Sequence, residues 1–146
     1  MKLLIVNGPN LNLLGEREPD VYGKETLQDL NEWIAMHEYT DEHELKFYQS
    51  NHEGEILDYL QGNRHWADGV VLNAGALTHY SYALADCITA CQVPTVEVHI
   101  SDIHKREEFR KVSVIEAVCI KQISGFGKNG YVDAIKALEL FLQKKT

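Results

Sequence analysis

The sequence predicts an α/β fold, a doubly wound five-stranded parallel sheet of order 2-1-3-4-5 with helices on both faces. Three observations carry this expectation. Apolar runs of strand length alternate with longer stretches of helical period along the whole chain. The first and third runs, Leu3–Asn7 and Gly69–Asn73, are almost continuously apolar, as central strands covered on both faces require. No repeat, low-complexity tract or Ser/Pro-rich linker interrupts the alternation. With 146 residues and 45% hydrophobic content, one core and one domain spanning residues 1–146 are expected.

Leu3–Asn7 reads as a buried strand, because the apolar run stops at Asn7-Gly8-Pro9, well short of a signal-peptide core. A long loop, Leu11–Gly23, follows. Thr26–Tyr39 reads as a helix that buries Leu27, Leu30, Ile34 and Trp33, opened by a capping box from Thr26 to Asp29. Leu45–Ser50 is the second strand, and Ser50 stands three residues before Glu53, where the helix Glu53–Arg64 opens. After the third strand, Ser81–Gln92 carries Leu84, Cys87, Ile88 and Cys91 at helical spacing. Pro94–Ile100 and Val118–Ser124 are the fourth and fifth strands. Tyr131–Gln143 places Tyr131, Ile135, Leu138 and Leu142 on one face, with Lys144 and Lys145 at the negative end of its dipole. Five βα units of this kind make a flavodoxin-like sheet.

The formal charge of −8 and a pI near 5.3 exclude an extended surface for nucleic acid or anionic membrane, since phosphate binding needs clustered Lys and Arg. No apolar stretch is long enough to span a bilayer, so a cytoplasmic location is expected. Cys87, Cys91 and Cys119 are an odd set without paired spacing, and read as buried thiols in a reducing compartment rather than a disulfide or metal site.

In such sheets ligands bind beyond the carboxyl ends of the strands, and the unusual polar residues fall there five times. Strand one ends in Asn7-Gly8-Pro9-Asn10 and enters the loop with Arg17 and Tyr22; strand two ends in Ser50-Asn51-His52-Glu53-Gly54. Strand three ends in Asn73-Ala74-Gly75-Ala76, followed by Thr78-His79; strand four in Glu97-Val98-His99-Ile100-Ser101; strand five in Ser124-Gly125-Phe126-Gly127. Gly125–Gly130 satisfies G-x-G-x-x-G, but in the last unit rather than the first, with too little chain left for a ribose-binding acid, so it reads as a close-packing turn. Glu97 and His99 alternate and therefore share one face of strand four, where a carboxylate fixes an imidazole's tautomer. Taken singly these residues have plainer readings: a hydrogen-bonded core histidine, turn and cap positions for Asn73 and His79, a packed ring for Tyr22, a solvated helix face for Arg106–Arg110. Their arrival at one edge is what favours a site. A flavin or nucleotide carrier would need phosphate-cradling Ser, Thr and Gly after strand one, and a receiver module would need acids where Asn7 and Asn73 stand.

These stretches together resemble the type II 3-dehydroquinate dehydratases over essentially the whole chain. The motifs are Asn7-Gly8-Pro9-Asn10-Leu11 with Leu14-Gly15, Arg17-Glu18-Pro19, Tyr22-Gly23, Gln49-Ser50-Asn51, Asn73-Ala74-Gly75 with Thr78-His79, Glu97–Ser101, Arg106–Arg110, and Gly125-Phe126-Gly127 with Gly130-Tyr131. The resemblance implies conversion of 3-dehydroquinate to 3-dehydroshikimate in the shikimate or quinate pathway, without cofactor or metal, by a homododecamer built as a tetramer of trimers. It makes Tyr22 the base that takes the C2 proton, activated by Arg17, with Asn10 positioning a water near the developing enolate oxygen. It makes His99, oriented by Glu97, the acid that protonates the leaving C1 hydroxyl. Asn73, His79 and Arg110 would meet substrate hydroxyls, the amides of Ile100 and Ser101 its carboxylate, and Asp86 a neighbouring subunit's site, with Arg106 a buttress. The chain departs from the family pattern at Ala85, Asp102 and Lys121, which bears on contacts between subunits.

The residue types suit that chemistry. An unperturbed phenol, with a pKa of about 10, is only about 0.1% ionised at neutral pH. An opposite charge within several ångströms shifts a titrating group by about 1–3 units, so Arg17, helped by Arg110, is of the right order to yield a phenolate. Arginine suits this because it stays charged beside a base. A base and an acid with opposed duties predict a bell-shaped pH profile, and a loop carrying Asn10, Arg17 and Tyr22 is expected to close over substrate.

Overall fold

The computed structural model describes residues 1–145, with the side chain of Tyr22 outside what is described. Five parallel strands, β1 (Lys2–Asn7), β2 (Glu44–Gln49), β3 (Gly69–Asn73), β4 (Thr95–His99) and β5 (Lys121–Ser124), form one sheet in the order β2-β1-β3-β4-β5. The connections carry a four-residue helix α1 (Pro19–Tyr22) and the helices α2 (Leu27–Met36), α3 (Glu53–Gly62), α4 (Tyr82–Cys91) and α5 (Asn129–Gln143).

The period-two alternation of β1 divides the core in two. Leu3 and Ile5 pack with Leu30 and Ile34 of α2 and with Tyr131, Ala134, Ile135 and Leu138 of α5. Leu4 and Val6 face the other way, against Ile56 and Leu60 of α3 and Leu84 and Ile88 of α4. All four β1 side chains are almost wholly buried, and each contributes about 1.5–3 kcal/mol by leaving water. The register then sets the catalytic-looking edge: Asn7 stands between Gln49 and Asn73, and His99 stands beside Ser124.

Local chemistry explains where elements begin and where they differ from expectation. The capping box forms as expected, with Thr26 Oγ1 accepting from the Asp29 amide at 3.1 Å and Asp29 Oδ2 accepting from the Thr26 amide at 3.0 Å. That backbone bond, seconded by the threonine hydroxyl, holds the Asp29 carboxyl below its ordinary range. The helix does not run to Tyr39: it stops at Met36, and a 3-10 turn over Glu38–Thr40 follows, because Thr40 Oγ1 donates to the carbonyls of Ile34 and His37, each at 2.7 Å. Ser50 does not cap α3; its hydroxyl accepts from the His52 amide at 2.9 Å and donates to Glu55 Oε2 at 2.6 Å, bracing the turn from outside. The fifth strand is shorter than the apolar run Val118–Ser124, since Glu116–Val118 coils into a 3-10 turn.

The glycine-rich turn is a packing device. Gly125 has φ +90, and a Cβ there would sit 3.0 Å from Asp102 Cβ; at Gly130 a Cβ would sit 3.4 Å from Val98 Cγ1, so α5 lies close on the sheet. Cys87 and Cys91 are free thiols with sulfurs 3.9 Å apart on α4, and burial pushes the Cys87 thiol up to about 11.

Candidate functional site

A cleft of about 140 Å³ opens at the carboxyl edge of the sheet, over the point where the strand order reverses between β1 and β3. Three loops line it. Pro9, Asn10, Leu11 and Arg17 follow β1; Asn73 ends β3, with Gly75, Ala76 and His79 after it; His99 ends β4, with Ile100, Ser101, Ile103, Arg106 and Arg110 after it. The loops after β2 and β5, counted with these in the sequence, do not line the cleft. The first supports it, since Asn51 Oδ1 accepts from the Asn10 amide at 2.9 Å, beside Gln49 at the end of β2, whose Nε2 donates to the Gly8 carbonyl at 3.2 Å. Asn10 is left-handed, φ 70, a conformation asparagine tolerates better than most residues. Gly8 admits no side chain, because a Cβ there would lie 2.4 Å from the Ala74 carbonyl oxygen.

At the floor, His99 and Glu97 point to one face of β4 as the alternation requires. His99 is 5% exposed and Glu97 is not exposed at all. His99 Nε2 meets Glu97 Oε2 at 2.5 Å, leaving the other ring nitrogen available to the cleft. Glu97 also accepts from Ser113 Oγ at 2.8 Å and from Gln122 Nε2 at 3.0 Å. Sequence reasoning missed both donors. Gln122 was accessible to it, because parallel pairing sets Gln122 beside Glu97 and adjacent strand positions share a face; Ser113 lies in irregular chain and gives no such signal.

His79 Nδ1 donates to the Val112 carbonyl at 2.7 Å, and desolvation is the main cause holding its pKa below the ordinary histidine value. A neutral ring fixed in that tautomer presents a bare Nε2, an acceptor suited to a hydroxyl. Asn73 is 4% exposed and held on two sides: Nδ2 donates to Tyr131 Oη at 2.9 Å, and Oδ1 accepts from the Gly75 amide at 3.2 Å. One N–H of that amide remains for the cleft. Tyr131 Oη in turn donates to Asn7 Oδ1 at 2.6 Å. Burial pushes this phenol well above its ordinary range, which makes Tyr131 useless as a base.

Three guanidiniums reach the cleft. Arg106 Nη2 donates to Glu18 Oε2 at 3.1 Å, Arg17 Nη2 lies 3.9 Å from the same oxygen, and Arg110 Nε is bonded to Glu107. Arg106 thus belongs to the cleft wall as well as bracing the loop after β1. Glu18, left-handed at φ 41, begins α1, whose last residue is Tyr22; that side chain lies outside the described residues. Asp86 is exposed on α4 and takes no part in the cleft of its own chain. Among the described residues no group of three or more His, Cys, Asp or Glu side chains is placed to hold a metal ion, and no helix is long and apolar enough to cross a membrane. The arrangement supplies a buried carboxylate–imidazole pair, cationic partners for an anion, and neutral acceptors and donors for hydroxyls.

Residues 1–139 match the family model described as dehydroquinase class II. The chain is 51% identical over 144 residues to the 3-dehydroquinate dehydratase of Dictyoglomus turgidum, covering 99% of both chains. It is 53% identical over 133 residues to that of Bacillus licheniformis, covering 91% of this chain and 92% of the relative. A solved type II dehydroquinase from Butyrivibrio crossotus superimposes with a TM-score of 0.92 at 47% identity, covering 95% of this chain and 97% of the other. One from Propionibacterium acnes gives 0.88 at 37% identity, covering 94% of each.

Proposed function

The chain belongs to the class II dehydroquinase family and is a hydro-lyase, and we propose that it removes water from 3-dehydroquinate through an enolate, with Tyr22 as base and His99 as acid. The observation that carries this reading is the buried Glu97–His99 pair facing a cleft where Arg17, Arg106 and Arg110 gather, in a chain whose formal charge is −8. Concentrating guanidinium there in an otherwise acidic protein suits an anionic substrate. A hydroxylated carboxylate also suits neutral His79 and the remaining N–H of Asn73.

In the first step the Tyr22 phenolate takes the C2 proton; the C2–H electron pair enters the C2–C3 bond and the negative charge moves onto the ketone oxygen. Asn10 positions a water against that charge, and Arg17 holds the phenol ionised. In the second step the enolate collapses, C1=C2 forms, and the C1–O bond breaks as the proton on His99 passes to the departing oxygen. Water leaves, and proton exchange restores Tyr22 and His99. Glu97 holds the imidazole ring in place for this transfer. A positioned acid or base is worth about 10²–10⁴ in rate. Ile100 and Ser101, through their amides, and Arg110 complete the substrate contacts.

The same reading makes the working enzyme a dodecamer. Tyr80 and Tyr82, 61% and 72% exposed at the start of α4, support an interface on the element that carries Asp86; light scattering should give a mass about twelve times the 16.6 kDa chain. The decisive experiment adds 3-dehydroquinate to the purified protein in chelator and follows the conjugated enone. Absorbance should rise with the unaltered chain, and fall at least a hundredfold in rate for Tyr22→Phe and His99→Ala while both still bind a substrate analogue. A folded, unaltered protein that yields no enone overturns the assignment.

A further inference from the structure

The Glu97 carboxylate is taken wholly out of water on β4, where a polar group without hydrogen-bond partners is costly. Its two oxygens receive three hydrogen bonds: His99 Nε2 and Gln122 Nε2 on Oε2, and Ser113 Oγ on Oε1. The two neutral donors are themselves held by their acceptor halves. Gln122 Oε1 accepts from His104 Nε2 at 3.1 Å, which turns the amide nitrogen toward Glu97. Ser113 Oγ accepts from the Glu116 amide at 3.1 Å, which leaves its hydrogen for Glu97 Oε1. The Gln122 amide is therefore committed in advance, since turning it over would bring Oε1 to the carboxylate and break its bond with His104, and Ser113 has its hydroxyl hydrogen to give to Glu97.

We propose that Gln122 and Ser113 are positioning residues that hold the Glu97 carboxylate against His99 and so set the pH dependence of the proton delivery. This rests on the reading of His99 as the acid. Neither residue lines the cleft, so the bond each makes to Glu97 is its link to the site. Among the described residues, the other titratable and charged groups facing the pair are Arg17 and Arg106 in the cleft that His99 lines, His79 on the turn after β3, Arg110 on the 3-10 turn Glu108–Lys111, and Cys119 and Glu116 on the chain before β5, with His104 behind Gln122. Burial, and then the charge of Glu97, push the Cys119 thiol up to about 12, so it stays neutral through the working range and does not compete for the role.

The direction of the effect follows from charge. Hydrogen bonds to the carboxylate favour every state of the pair in which Glu97 is ionised, most of all the state that has lost both protons. Removing a donor therefore favours the protonated states, and the limb of the rate profile that reports loss of the His99 proton moves to higher pH. One hydrogen bond to a charged group of this kind corresponds to a displacement of about one pH unit. At the same time the proton is held more tightly, so kcat on the plateau falls several-fold while KM stays near its starting value.

The test is the pH dependence of kcat and KM for Gln122→Met, Ser113→Ala and Ser113→Thr, with thermal melts to confirm that each variant is folded across the range. Gln122→Met and Ser113→Ala should each move the alkaline limb of kcat upward, and Ser113→Thr, which keeps the hydroxyl, should restore the original limb. Profiles that superimpose on that of the unaltered enzyme, or a fall in kcat without displacement of the limb, overturn the inference. His99→Ala separates the two levels: if it retains turnover, the acid assignment itself fails; if it loses turnover while the Gln122 and Ser113 limbs stay put, only the present inference fails.

Discussion

Asn7, Asn73 and Tyr131 meet at a single phenolic oxygen beneath the cleft, bonded at 2.6 Å to Asn7 Oδ1 and at 2.9 Å to Asn73 Nδ2. All three are almost completely buried, so each lost bond leaves a polar group with no water to replace it. Tyr131→Phe keeps the ring and deletes only the oxygen. It should lower stability by about 1–3 kcal/mol, read as a shift in the urea midpoint, and raise KM, because the Asn73 amide then loses the bond that aims its second N–H. An unchanged midpoint would mean that the three groups are not coupled as the distances imply. The asparagines were legible in the sequence as polar ends on apolar strands. The use of Tyr131 was not: its spacing marks it as a core residue of a helix, and its partners lie 58 and 124 positions away in the chain.

The loop after β1 shows what an ion pair contributes to a whole element. It leaves β1 at Gly8 and carries Asn10, Arg17 and α1 to the rim. Beyond the buried Leu11 and Leu14, Glu18 is bound across the cleft to Arg106 at 3.1 Å. That bond joins the loop after β1 to the loop after β4, so it holds the cover of the site to its far wall. Arg106→Gln should speed limited proteolysis between Glu16 and Lys24 several-fold without lowering global stability by more than about 1 kcal/mol, the scale of a partly exposed pair. A substrate analogue should slow cutting in the unaltered protein and less so in the variant; equal rates in all four conditions would exclude a tethered cover. Element boundaries were legible wherever local chemistry decides them, as at the Thr26 capping box. They were misread where the backbone turns: α2 ends early, where Thr40 Oγ1 bonds the carbonyls of its last turn, and Val118, read as the start of strand five, closes a 3-10 turn instead.

At the scale of the whole molecule, the strand order follows from alternating βα units, since parallel neighbours joined by right-handed crossovers leave few arrangements that bury both faces of β1 and β3. The order then explains why residues distant in sequence reach one edge, which is why most of the cleft could be named in advance. Asp86 is the exception. It stands exposed on α4 beside Ala85, outside the cleft of its own chain, so any role it has in turnover must be exercised on another copy. That makes a mixing experiment informative. Asp86→Ala chains keep His99 but offer neighbours no carboxylate; His99→Ala chains offer the carboxylate but lack the acid. If α4 contributes across an interface, each variant alone should be impaired, and unfolding and refolding the two together should yield activity above the sum of the separate preparations. The gain arises only at sites where a chain with intact His99 sits beside one with intact Asp86, so it should follow the proportion in which the two are mixed and vanish when either is omitted. Activity equal to the sum at every ratio, in a preparation shown by its mass to be oligomeric, would confine Asp86 to its own subunit and remove it from the site.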